Sequence, residues 1–157
     1  MANTGVTFGG DILVYRNTGT DIAPVWEAFA HASSHSYNGT TKMRQRVHKD
    51  DGGATGVRPG RHEPGTIGIQ GLVSYDGVDF WTLDKLRKDR ERIHLKYSGR
   101  PSGDTDVIET TEDVDDKYYE AYGYINEVSR EDPVEEDSTY SATITLDGFP
   151  TEKAVTA

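Results

Sequence analysis

The chain contains no cysteine, which excludes disulfide staples and thiolate metal sites. No apolar run approaches the roughly 20 residues that a membrane-spanning helix needs. The N-terminus (Met1, Ala2, Asn3, Thr4, Gly5, Val6) lacks the charged and apolar regions of a signal peptide. Synthesis in a cytoplasm-like compartment is therefore expected. Apolar residues are scarce as well, at 34% of 157 residues with a mean hydropathy of -0.70. A chain of this length forms one domain that buries roughly two-thirds of its unfolded surface. So little apolar material implies long exposed loops or surfaces covered by partners.

Catalytic signatures are missing too. Gly-x-Ser-x-Gly is absent, so no serine has a nucleophile elbow. Gly52, Gly53 and Gly56 imitate a phosphate loop, but the Lys and Ser/Thr that should follow the last glycine are absent. A flexible turn explains them better. His48, Asp50, Asp51, His62 and Glu63 are ligating residue types, yet they fall on a loop without the spacing that fixes a metal. Asp115 and Asp116 lie in an exposed acidic run where a raised pKa is not expected. The sequence points to a protein that is not an enzyme and needs no cofactor or metal.

What is present is clearest over residues 66–99. Ile67, Ile69, Val73 and Tyr75 alternate with Thr66, Gln70 and Ser74, the period of a half-buried strand. Asp76 and Gly77 make a turn. Asp79 then suits a helix N-cap, and Phe80, Leu83 and Leu86 recur at helical spacing. The basic residues from Arg87 to Arg92 complement the negative end of a helix over about 79–91. Ile93, Leu95 and Tyr97 alternate with Arg92, His94 and Lys96 in a second strand.

Further strands are expected at 11–16, at 26–30, at 42–48 with Met43 and Val47 as core residues, and at 118–128. The last strand alternates most cleanly, with Tyr140, Ala142, Ile144 and Leu146 against Ser141, Thr143, Thr145 and Asp147. Between them lie an N-terminal arm 1–10, a long loop 49–65, an acidic loop 99–117 and a C-terminal tail 150–157. The loop 49–65 holds five Gly and two Pro and almost nothing apolar, so it reads as functional and not as core. Trp26 and Trp81 fall at core-like positions. The fold class is mainly β with one flanking helix.

The net charge of -10 is unevenly distributed. Residues 1–100 carry 14 Lys and Arg against 11 Asp and Glu, and residues 101–157 carry 3 against 16. Tight nucleic-acid binding is disfavoured by the overall sign. A solvated acidic surface and charge complementarity between neighbouring copies both fit the asymmetry.

Taken in order, the elements resemble the major tail (tail-tube) protein family of long, non-contractile bacteriophage tails and related tail-like particles. The matching residues are Gly9, Gly10 and Asp11 through Tyr15, followed by Asn17, Thr18 and Gly19; Val25 and Trp26 after a proline; Asp50 to Gly53; the strand, turn and helix unit 66–98; and a closing hairpin from Gly123 to Gly148. This resemblance spans nearly the whole chain and implies a two-sheet β-sandwich or barrel with one flanking helix. Its copies would form hexameric rings that stack into a tube conducting the genome.

The partners it implies are further copies of this chain, the tape-measure protein, and the tail-terminator and distal tail proteins. DNA would only be in transit, no membrane is involved, and the protein would reside in the virion tail after assembly in the host bacterial cytoplasm. In that frame Lys49, Asp50, Asp51, Arg58 and Arg61 are subunit-contact candidates. Thr66, Gln70, Ser74, Ser141, Thr143, Thr145 and Asp147 are lumen-facing candidates, and Phe80, Leu83 and Leu86 hold the helix on the core. A tail-terminator or neck protein, or a ligand- or glycan-binding β-sandwich, are the alternatives. The last should show clustered exposed tryptophan beside Asp or Asn.

Overall fold

A computed structural model of the chain describes residues 14–29, 32–47, 55–75, 79–98 and 117–154. The arm 1–10, the contact candidates Lys49, Asp50 and Asp51, and all of the acidic segment 99–117 except Lys117 lie outside the described residues.

The described chain is mainly β with one helix. Its strands are β1 (Val14–Asn17), β2 (Trp26–Ala28), β3 (Ala32–Val47), β4 (Thr55–Leu72), β5 (Ile93–Ser98), β6 (Lys117–Glu131), β7 (Thr139–Leu146) and β8 (Thr151–Ala154), with α1 (Phe80–Asp89) between β4 and β5. All pairings are antiparallel, in the order β2-β1-β5-β6-β7-β4-β3, and β8 also pairs with β6.

This single sheet is rolled. Tyr37 on β3 stacks on Tyr119 of β6 at 5.6 Å between ring centroids and meets Tyr97 of β5 at 6.5 Å. In a flat sheet β3 and β5, four places apart, would be separated by about 19 Å. The two wings therefore face each other as the layers of a sandwich, joined through β6 and β7.

Alternation explains the core. Tyr140, Ala142, Ile144 and Leu146 of β7, Ile67 and Ile69 of β4, Ala121 and Ile125 of β6, and Ile93 and Leu95 of β5 all point inward and are buried. Gly123 sits where β6 exchanges one neighbour for another, opposite Ile93 on one edge and Leu146 on the other. A Cβ there would lie 2.7 Å from the carbonyl oxygen of Thr145, so only glycine fits without a shift of backbone.

The helix closes one side of this core with Leu83 and Leu86 buried and Phe80 packed against it. Asp79 caps it, its Oδ1 accepting the Thr82 N–H at 3.2 Å. Arg90 ends it in the left-handed region, φ 55°. The helix is thus shorter than 79–91 because its two flanking residues are caps.

Several expectations need correction. Residues 55–65 are strand and not loop, since they pair with β3 from Val47↔Thr55 to Thr40↔Glu63. The expected strand 42–48 is the outer part of a strand that begins at Ala32. Met43 is not core but 60% exposed, because the sheet opposite it ends before it. Tyr75 and Trp81 are also exposed, at 89% and 46%, stacked on each other at 6.0 Å beyond the end of β4. The tail is a strand from Thr151 to Ala154, bonded to the start of β6.

Candidate functional site

Strand pairing gathers the polar residues of four strands on one face. Thr66, Gly68 and Gln70 of β4 stand opposite Thr145, Thr143 and Ser141 of β7. On the other edge of β4 the same residues meet Asn38, Ser36 and Ser34 of β3. On the other edge of β7, Thr145, Thr143 and Ser141 meet Tyr124, Glu127 and Ser129 of β6. Directly paired residues share a face, so these positions form one surface turned away from the core. Hydroxyl, amide and glycine dominate it, and Glu127 is the only charged residue among them. Ser129 and Ser141 bond through their hydroxyls at 2.6 Å. A recess of about 250 Å³ at the end of this face is lined by Ser33, Gln70, Ser129 and Ser141 among others.

Five of the seven lumen-facing candidates meet here: Thr66, Gln70, Ser141, Thr143 and Thr145. The other two do not join the ladder. Ser74 lies past the end of β4, in a shallow hollow with Leu72, Tyr75 and Arg130. Asp147 lies past the end of β7, where it accepts the Nε–H of Arg92 at 3.2 Å. Missed from sequence were Ser34, Ser36 and Asn38, whose period-two alternation with His35 and Tyr37 was the available signal. A register shift in β6 between Ile125 and Glu127 hid Glu127 and Ser129, since it moves them onto the same face as Tyr124.

The basic strand face of β5 is engaged within the chain by carboxylates and aromatic rings. His94 is 6% and Lys96 8% exposed. His94 Nε2 lies 2.6 Å from Glu120 Oε1 on β6, and Lys153 of β8 reaches Glu120 Oε2 at 2.5 Å. Burial pushes the Glu120 carboxyl up, but the bonds from Lys153 and His94 outweigh it and hold it below its usual range. The His94 ring stacks on Tyr122 at 4.4 Å, and Lys96 Nζ stands 4.4 Å over the Tyr118 ring. Arg92 covers Tyr122 as well as pairing Asp147. No cation of this cluster is left facing solvent without a carboxylate or an aromatic ring beside it.

Beyond Thr66, β4 leaves the sheet and continues with β3 as a two-stranded ribbon. Arg58 and Arg61, the described contact candidates, are on it and exposed. Lys42 and Glu63 pair across it at 2.8 Å. Among the described residues no group of three or more His, Asp or Glu could hold a metal, and no helix is long and apolar enough to cross a membrane.

No family model matches the chain, and no curated protein matches it by sequence. Solved structures do match its fold. A chain from the tail of an empty gene transfer agent particle, refined with C6 symmetry, superposes with a TM-score of 0.72 at 12% identity, covering 95% of this chain and 100% of that one. The SPP1 tail tube gives 0.66 at 10% identity, covering 95% and 80%. A chain of an extracellular contractile injection system, in its sheath–tube complex, gives 0.62 at 11% identity, covering 99% and 93%. With so little identity the shared property is the fold, and the chain has the fold of tail-tube subunits.

Proposed function

We propose that this chain is the structural subunit of a phage-type tail tube, resident in the virion tail. Copies form rings, six to a ring as in the C6 symmetry of the gene transfer agent tail, and the rings stack into a conduit for the genome. The observation that carries the reading is the Ser/Thr/Gln/Asn face on β3, β4, β7 and β6, on a fold shared with tube subunits. Duplex DNA carries about one negative charge per 1.7 Å of axis. A wall of hydroxyls with scattered carboxylate offers it no fixed cation to stop at, and the internal pairing of Arg92, His94 and Lys96 serves the same end.

Thr66, Gln70, Ser141, Thr143 and Thr145 line the lumen in this proposal. Lys49, Asp50, Asp51, Arg58 and Arg61 serve contacts between subunits. The tape-measure protein fills the tube during assembly, and terminator and distal tail proteins close its ends. Negative-stain microscopy of the concentrated protein tests the reading. Hollow tubes of stacked rings are expected, and a protein that stays monomeric at every concentration and salt would refute it.

A further inference from the structure

Among the described residues, side chains of opposite charge gather at the two ends of β4. At one pole stands the ribbon. Residues 55–65 of β4 pair only with β3 among the described residues, so about 30 Å of two-stranded ribbon projects past the sheet. Its described part carries Lys42, Arg44, Arg46, Arg58 and Arg61 against the single acid Glu63. Arg44 stands directly opposite Arg58, with Arg46 next along the same face. Like charges in a cross-strand pair are destabilising, and no carboxylate among the described residues pairs with these three. The other ribbon face is mostly apolar, with Met43 opposite Pro59 and Val57 opposite Gln45, and Met43 is 60% and Val57 67% exposed. An isolated two-stranded ribbon is marginal in water, so this one is built to be covered.

The opposite pole has the complementary chemistry. The last residue of β6, Glu131, and the turn that joins it to β7 with Asp132, Glu135, Glu136 and Asp137 gather five acids, and only Asp132 is paired among the described residues, with Arg130. Register puts this turn beside Leu72, at the far end of β4 from the ribbon tip. Around it are Leu72, Tyr75, Trp81 and Val134, all exposed, and the Arg130 guanidinium stands 5.3 Å over the Trp81 ring. Exposed Trp, Tyr and Arg together are the residues that most often anchor interfaces.

We infer that the β3–β4 ribbon of one copy docks on the acidic–aromatic pole of the next. Arg44, Arg46 and Arg58 meet the carboxylates of turn 131–137, and Met43 and Val57 meet Val134, Leu72 and the Tyr75–Trp81 pair. The contact is head-to-tail, so it propagates along β4 and does not close on itself. It deepens the tube reading and rests on it, naming the surface that receives the ribbon. Duplex DNA is a poorer occupant, because it would leave the apolar ribbon face uncovered.

Charge reversal on each side tests this. Arg44→Glu with Arg58→Glu makes a ribbon variant, and Glu135→Lys with Glu136→Lys a turn variant. All four positions are exposed, and thermal melts of the unassembled proteins confirm the fold. Each variant alone should need at least about tenfold more protein to form tubes, since facing like charges costs several kcal/mol. An equimolar mixture should recover wild-type assembly, because each reversed ribbon then meets a reversed turn. Wild-type tubes should also loosen near 1 M salt, where the screening length falls to about 3 Å. If the wild type forms tubes and the ribbon variant forms them equally well, or the mixture fails where folded single variants fail, the docking is wrong while the tube reading survives. Normal assembly of a ribbon variant that has lost binding to duplex DNA would assign the ribbon to nucleic acid and overturn the docking. A wild type that never assembles refutes the tube reading itself, and the docking with it.

Discussion

Glu120 receives the Nε2 of His94 at 2.6 Å across the β5–β6 pair, and its second oxygen takes Lys153 at 2.5 Å. One carboxylate therefore ties three strands together beneath the aromatic rings of Trp26 and Tyr122, which flank His94.

The pH dependence follows from the direction of its shift. The folded pKa of Glu120 lies below the ordinary 4.5, so its contribution is present above that value and is lost as pH falls through the folded pKa. Glu120→Gln should cost about 1–3 kcal/mol at neutral pH. The gap from wild type should narrow in thermal melts taken toward about pH 3. A gap that does not change with pH would assign the residue to packing alone.

Leu83 is fully buried between α1 and the sheet. Leu83→Ala should cost about 2–5 kcal/mol, and Leu83→Asp should unfold the chain, because an unpaired carboxylate in the core costs several kcal/mol. Circular dichroism melts check both. A normally melting Leu83→Asp variant would show the helix to be peripheral.

The ribbon is expected to serve assembly and not folding. Joining Thr41 to His62, cross-strand partners bonded through Oγ1 and Nδ1 at 3.0 Å, by a short turn removes the outer ribbon and no residue of the core cluster. The melting transition should stay within a few degrees of wild type, as surface changes remain within about 0.5 kcal/mol, while tubes disappear. Loss of the folded monomer would contradict this.

How much of this was legible in sequence depended on how local the cause was. The helix was legible because Asp79, Leu83 and Leu86 lie within two turns of each other. β7 was legible because Tyr140, Ala142, Ile144 and Leu146 bury one face while Ser141, Thr143 and Thr145 do not. The ribbon was not, because Gly56, Pro59, Gly60, Pro64 and Gly65 have the composition of a loop. Proline is tolerated there because β4 has a partner on one edge only beyond Thr66. The burial of His94 and Lys96 was equally hidden. It depends on Glu120, Tyr118 and Trp26, which come from distant strands. Ser74 and Asp147 kept the right parity but fell beyond their strand ends, where parity no longer assigns a face.

Cationic residues placed on the polar face should hinder DNA and not assembly. Thr143→Lys with Thr145→Lys puts two charges per subunit on the proposed wall, enough across a ring to hold a polyanion. Virions carrying it should assemble with normal tails and eject their genome slowly or not at all in an infectivity assay. Full infectivity would count against a lumen position for this face.

The most direct test of the account is a helical cryo-EM reconstruction of tubes assembled from the wild-type protein. Six copies per ring are expected, in line with the C6 symmetry of the gene transfer agent tail, with Thr66, Thr143 and Thr145 lining the channel. A map that places Thr143 and Thr145 on the outer surface, or that shows no hollow assembly, would contradict it.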